Sequence, residues 1–158
     1  TLRRHLPLLS TNDVRYKLLR EMNDAAILTA PEALNRPIAI TTKRPDSLPR
    51  LIAELLMTLP VLPGEIEPRI NMFGTRQADG TYTVTFTPRT AHRPACYGDD
   101  GVLFSPGAVD MAGGIVLPRE ADFDSITAEK LEAMLREVTL GTDDYNSTIL
   151  NSISHAFS

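Results

Sequence analysis

Arg89, His92 and Arg93 lie within five residues of one another. An arginine guanidinium presents a planar fork of N–H donors that matches phosphate oxygens, and a nearby histidine adds a donor or a proton. The segment follows a strand-like run, and the point where a strand passes into a loop is a common place for binding residues. These residue types therefore predict a phosphate-binding loop. The alternative that the composition leaves open is a basic surface turn without a ligand.

The remaining candidates for chemistry do not form a complete catalytic set. His5 and His155 lie near the two ends of the chain, outside any motif, and no two histidines have the spacing of a local metal pair. Cys96 is the single cysteine, which excludes an internal disulfide and favours a packed, inert thiol in a reducing compartment. We therefore expect no catalytic residue, no metal and no cofactor.

Four acidic residues surround a predicted strand and a predicted helix start: Asp110, Glu120, Asp122 and Asp124. Carboxylates in the first turn of a helix complement the helix dipole, which explains Asp122 and Asp124 as well as a catalytic role would. The sequence leaves both interpretations open.

Composition bounds the class of protein. A chain of 158 residues can bury a core, and 42% hydrophobic with 23% charged residues is a globular balance. The net charge of −4 and the lack of a basic stripe with interleaved aromatic residues argue against a nucleic-acid partner. No apolar run approaches the roughly 20 residues that cross a bilayer, and no signal segment is present. We expect no membrane partner and a cytoplasmic location.

Two helices and one strand are predicted from local sequence signals. Apolar residues recur at helical spacing over 48–59, after Asp46 or Ser47 as a cap and before Pro60. A second amphipathic helix follows Thr127 as a cap, and Gly141 ends it; its apolar stripe consists of Leu131, Met134, Leu135 and Val138. Residues 37–42 predict a strand, and residues 144–157 predict either a last polar helix or a loose tail.

A hairpin is predicted around Asp79-Gly80, a dipeptide that suits a two-residue type I′ turn between 69–77 and 81–87. This register places Phe73 opposite Phe86, with an apolar face and a threonine-rich face, as in a half-buried antiparallel sheet. A further strand is predicted at 114–117. Residues 14–20 fit a strand or a short helix, and residues 22–33 show no clean period.

These elements predict an α+β fold, an antiparallel sheet with helices packed on one face. We expect a single domain over 1–158. It divides into a poorly defined leading segment (1–35), a core (36–140) and a C-terminal tail or helix (141–158).

Two stretches resemble a known family: Phe86-Thr87-Pro88-Arg89…His92-Arg93-Pro94 and Leu103-Phe104-Ser105-Pro106-Gly107 onward to Phe123. They are similar to a bacterial protein group related to the histidine-triad (HIT-like) nucleotide phosphorylases and ATP adenylyltransferases. The second stretch is similar, more distantly, to GDP-L-galactose and GDP-D-glucose phosphorylases, in which a serine-proline-small motif leads through a glycine to an apolar strand. The resemblance runs from about Glu67 to Leu140.

The resemblance implies a HIT-like fold acting on a nucleotide or nucleotide sugar. Enzymes of this kind form a nucleotidyl intermediate on a histidine of a His-x-His-type motif, which in relatives lies upstream of the matched region. This sequence contains no His-x-His, so only Arg89, His92 and Arg93 are assigned, as phosphate or nucleotide contacts.

We therefore expect the C-terminal half of a HIT-like nucleotidyltransferase or phosphorylase, a fragment of a longer protein whose N-terminal half supplies the nucleophile. The fragment alone is expected to be inactive. The alternative is a non-enzymatic HIT-like binding or dimerisation module. A second copy of the chain, as a homodimer, is a further candidate partner.

Overall fold

A computed structural model describes residues 16–157 and contains one five-stranded antiparallel sheet, with the strand order β1-β2-β3-β5-β4. The strands are β1 (Lys17–Glu21), β2 (Ala25–Thr29), β3 (Ile38–Thr42), β4 (Ile70–Arg76) and β5 (Tyr82–Pro88). Strand β1 settles the alternative left open for 14–20 over the residues described. Strand β2 was not predicted, since its sequence is apolar on both faces and lacks the alternation that marks a half-buried strand.

Helices make up most of the remainder. A 3₁₀ turn (Pro45–Ser47) leads into α1 (Leu48–Thr58). The next helices are α2 (Ala108–Met111), α3 (Glu120–Ser125) and α4 (Ala128–Val138). The C-terminal helical segment consists of α5 (Thr142–Asp144), a π-helical segment (Tyr145–Leu150) and α6 (Asn151–Ala156). The expected α+β class is confirmed. Thr127 caps α4 as predicted, because its Oγ1 accepts from Lys130 N at 3.2 Å.

Ser47 lies at the N-cap position of α1, but the side-chain cap predicted for Asp46 or Ser47 is not formed. Ser47 already has helical backbone angles, and its side chain makes no capping bond; its hydroxyl instead donates to the Arg44 carbonyl at 2.8 Å. The preceding 3₁₀ turn brings the chain into the helix without the extended N-cap residue that side-chain capping requires.

The principal core lies between one face of the sheet and two helical segments. Ile27, Ile40 and Phe86 project from β2, β3 and β5 and are fully buried. Helix α1 covers them with Leu51 and Leu55, and the C-terminal helical segment adds Tyr145, Ile149, Ile153 and Phe157. This core extends on both sides of the expected range 36–140. Residues 144–156 are helical and carry a buried apolar stripe, and Phe157 directly after them is also buried, so the loose tail is excluded.

The predicted hairpin register is wrong by one residue. Phe73 pairs with Thr85, and Phe86 pairs with Met72. A type I′ turn requires positive φ at both Asp79 and Gly80, but only Gly80 has it, at 84°. The loop therefore has three residues, closed by Gln77 N donating to Thr81 O at 2.8 Å. The odd loop length moves Phe73 onto the threonine face.

That threonine face is less open to solvent than a half-buried sheet predicts. Thr85 and Thr87 are 4% and 0% exposed. Partial burial raises the pKa of the Tyr16 phenol, and the Thr85 side chain acts in the opposite direction.

A second core is formed by residues of α2, α4 and the connections around them, and Phe104 and Leu131 are fully buried in it. The strand predicted at 114–117 is absent here. Gly114 N donates to Val109 O at 2.9 Å and Val116 N donates to Asp110 Oδ1 at 2.9 Å, so these amides are satisfied by α2 and not by a neighbouring strand. Ile115 and Leu117 still pack on the second core.

The connection between β2 and β3 joins the two cores. Leu34 is buried in the second core, and Asn35 Nδ2 donates to the Met111 carbonyl at 2.7 Å. Arg36 Nη1 donates to the Leu140 carbonyl at 2.6 Å, from a backbone with a positive φ of 41°. Three successive residues thus connect the sheet to the second core and to the segment that follows α4.

Because of Tyr145, the stability of the principal core is expected to fall at alkaline pH. Its hydroxyl hydrogen-bonds Thr29 Oγ1 at 2.5 Å and donates to the Pro37 carbonyl at 3.3 Å, and burial raises its pKa from 10 to about 12. The phenol is neutral in both states below pH 10, so this stabilisation is fully present there. Between pH 10 and about 12 the unfolded chain loses the proton first, and stability falls by up to about 1.4 kcal/mol per pH unit.

We expect the stability advantage of the wild type over Tyr145→Phe to shrink as pH rises from 9 to 11.5, measured by urea unfolding. Other alkaline groups are common to both proteins and cancel in this difference. An advantage that stays constant over this range would contradict the raised pKa.

Candidate phosphate-binding loop

The predicted loop follows β5 and runs between the sheet and the end of α4. Thr90 N donates to the Val138 carbonyl at 3.0 Å, and Ala95 N donates to Glu137 Oε1 at 2.7 Å. The loop, defined here as residues 89–97, is therefore tied at both ends to the last turn of one helix.

Arg89 lies beneath the loop and braces it. Its side chain is buried, with Nη2 donating to the carbonyls of Ala91 and His92 at 2.8 Å each. Nη1 donates to Asn71 Oδ1 at 2.7 Å and also to the Pro106 carbonyl. Both terminal nitrogens of the guanidinium are thus bound within the protein, and Arg89 faces away from any ligand on the loop surface.

Burial lowers the pKa of Arg89, with Asp110 opposing this effect and Arg69 adding to it. Arginine retains its proton under such conditions because its reference pKa is so high. The buried charge is dispersed over one amide oxygen and three carbonyl oxygens.

Two further arginines fix the surroundings of the loop. Arg69 Nη1 donates to the Thr90 carbonyl at 2.7 Å while its Nε binds Glu65 Oε1 at 2.6 Å. Arg119 Nη1 donates to the Asp99 carbonyl at 2.8 Å, and its Nε binds Asp122 Oδ2 at 2.8 Å. The two arginine side chains thus hold the backbone carbonyls of Thr90 and Asp99 in place.

Arg93 is placed differently from these three. Its side chain is exposed, and its guanidinium carbon lies 4.2 Å from the centre of the Tyr97 ring. Its Nε lies 3.3 Å from Ser105 Oγ. Stacking on an aromatic face restrains a guanidinium while leaving its edge accessible. Arg93 therefore presents its terminal N–H groups outward from a restrained position.

The structure brings two of the three predicted residues to the surface. The side chain of His92 is exposed next to Arg93, while its carbonyl accepts from Arg89 below. Tyr97 and Ser105 were missed as site residues. The only sequence signal for them is an aromatic residue four positions after Arg93 and the Ser-Pro dipeptide of the family-like stretch.

The acidic residues near the loop hold backbone amides. Asp110 accepts from Gly107 N at 2.7 Å and Val116 N at 2.9 Å. Asp122 accepts from Leu103 N at 2.9 Å, and its hydrogen bond with Arg119 is the main reason that its pKa is lowered. These two carboxylates are occupied by structural contacts, which favours the structural interpretation over a catalytic one.

The other candidates lie away from the loop. His155 is exposed on α6, and His5 lies outside the described residues. Cys96 is partly exposed and packs against the second core. Within residues 16–157, no three His, Cys, Asp or Glu side chains are grouped so that they could hold a metal ion. Across the same part of the chain, no helix combines the length and apolarity that crossing a membrane requires.

Comparison of the chain with protein-family models, with curated proteins and with solved structures finds no match.

Proposed function

We propose that Arg93, restrained by Tyr97 and Ser105, binds the phosphate group of a nucleotide or nucleotide sugar together with His92. The observation that carries this proposal is the placement of Arg93, exposed but held by Tyr97 and Ser105. A guanidinium edge is suited to two oxygens of one phosphate, and His92 can donate to a third.

The bracing of the loop supports this assignment energetically. A flexible loop loses conformational entropy when it binds, whereas a loop already fixed has little left to lose. Arg69, Arg89 and Glu137 fix the backbone on either side of Arg93. Their contacts orient the loop before a ligand arrives.

The wider proposal rests on the family resemblance of 67–140. We propose that the chain is the C-terminal part of a cytoplasmic HIT-like nucleotidyltransferase or phosphorylase. In this scheme the histidine nucleophile belongs to another part of the protein, and the present chain contributes substrate binding. Its own residues bind and orient a phosphate; no bond-breaking step is assigned to them.

Arg93→Ala is expected to weaken binding of a nucleoside diphosphate about tenfold, since a charge-assisted hydrogen bond contributes roughly 1.5–3 kcal/mol. Isothermal titration calorimetry with ADP and GDP measures the effect. Arg76→Ala is the matched control, because Arg76 is also exposed and lies 5.5 Å from the centre of an aromatic ring, that of Tyr82. Equal affinities for the wild type and Arg93→Ala would remove the functional assignment and leave a basic surface turn.

A second proposal concerns association with another copy of the chain. Among the described strands, β4 pairs only with β5, and all seven residues of its ladder are in regular register. The opposite edge strand, β1, is interrupted by a bulge and carries Lys17, Arg20 and Glu21, features that discourage pairing. This edge of β4, which pairs with no second described strand, favours a homodimer as the alternative role, compatible with ligand binding at the loop.

A further inference from the structure

The Ser105-Pro106-Gly107 motif has three residues with three different placements. Pro106 is buried and its carbonyl accepts from Arg89, while Gly107 N donates to Asp110 at 2.7 Å. Ser105 alone is exposed, between buried Phe104 and buried Pro106. Bracing of the loop thus explains the second and third residues of the motif, and the oxygen of the serine side chain accepts from Arg93, which leaves only the serine hydroxyl hydrogen without a role.

The contact with Arg93 determines what the serine hydroxyl can do. Arginine has no acceptor, so Arg93 Nε donates and Ser105 Oγ accepts, at 3.3 Å. The hydroxyl hydrogen must then be directed away from the guanidinium. Within the part of the chain that the structure describes, this hydrogen finds no acceptor. Ser105 therefore holds a donor that is available to a ligand beside Arg93.

We propose that Ser105 is a ligand-contacting residue that donates its hydroxyl hydrogen to the same phosphate group that Arg93 binds. This inference rests on the proposed phosphate-binding function of the loop. The Arg93 edge binds two phosphate oxygens, and the Ser105 hydroxyl donates to an adjacent one. The ligand class is a terminal phosphate, carried either by a nucleoside diphosphate or by inorganic pyrophosphate.

The test compares Ser105→Ala with Ser105→Thr, which retains a hydroxyl at the same place. Calorimetry with GDP and, separately, with pyrophosphate is expected to give about fivefold weaker binding for alanine and a change below about twofold for threonine. A loss with both probes identifies phosphate chemistry shared by the two sources. A loss with GDP alone identifies the nucleotide as the source. Thermal unfolding of both variants verifies that each is folded.

A second pair of variants separates direct contact from positioning of Arg93. In an Arg93→Lys background the Nε contact with Ser105 is gone, but a cation remains at the site. If Ser105 touches the ligand, Ser105→Ala still weakens binding severalfold in this background. If the loss disappears there, Ser105 acts only through Arg93 and the inference is overturned.

The remaining outcomes distinguish this inference from the proposed function. An unchanged Kd in Ser105→Ala together with weaker binding in Arg93→Ala overturns the role of Ser105 and leaves the site in place. Unchanged affinities in both Ser105→Ala and Arg93→Ala overturn the phosphate site itself.

Discussion

Arg89→Ala is expected to lower the free energy of unfolding by about 3 kcal/mol, because it leaves carbonyl oxygens around the loop without their charged donor. Each buried acceptor that loses its partner costs roughly 1–3 kcal/mol. Arg89 donates hydrogen bonds to four acceptors, which are Asn71 Oδ1 and the carbonyls of Pro106, Ala91 and His92. Urea unfolding followed by circular dichroism measures the change.

Arg89→Lys and Arg93→Ala are the informative comparisons. Lysine retains the charge but cannot direct hydrogen bonds to four acceptors from a planar fork, so we expect it to recover less than half of the loss. Arg93→Ala removes an exposed side chain and is expected to change stability by less than about 0.5 kcal/mol. Equal stability of the wild type and Arg89→Ala would show that the loop does not depend on this brace.

The second large effect is expected at the C-terminal helical segment. Ile149 and Ile153 are both fully buried against the sheet and α1. Replacing either with alanine is expected to cost about 3 kcal/mol, since a buried isoleucine truncated to alanine loses transfer energy and leaves a cavity. A chain of this size has a total stability of about 5–15 kcal/mol, so the double variant is expected to lose a large part of it.

Asn146→Ala supplies the control on the same segment, because Asn146 is exposed. Its melting temperature is expected to remain within a few degrees of the wild type. If Ile149→Ala melted at the same temperature as Asn146→Ala, the segment would not be part of the cooperative core.

The helices show which parts of the fold can be predicted from the sequence. The periodicity of 48–59 and the cap at Thr127 led to α1 and α4, because amphipathic spacing and a side-chain cap are local signals. The register of the hairpin could not be predicted from local sequence signals. Asp-Gly fits both a two-residue and a three-residue loop, and only the tertiary pairing of β5 with β3 and β4 selects between them.

The candidate site was predictable in position but not in detail. Sequence spacing placed Arg89 and Arg93 in one loop and treated them as equivalent, since nothing local distinguishes a buried arginine from an exposed one. Their difference arises from distant partners: Asn71 and Pro106 for Arg89, Ser105 for Arg93. The strand predicted at 114–117 is wrong for a different reason: the nearby Asp110 carboxylate accepts from the amide of Val116, which apolar residue types alone do not reveal.

The connection between β2 and β3 has a consequence for the rate of binding at the proposed phosphate site. Leu34, Asn35 and Arg36 join the two cores, and the loop of Arg93 lies between the sheet and α4. A hinge motion of one core against the other would have to break these ties. For the proposed phosphate site we therefore expect association without a slow conformational step, with rates set by diffusion and orientation. Differences in affinity among phosphate ligands are then expected mainly in their dissociation rates.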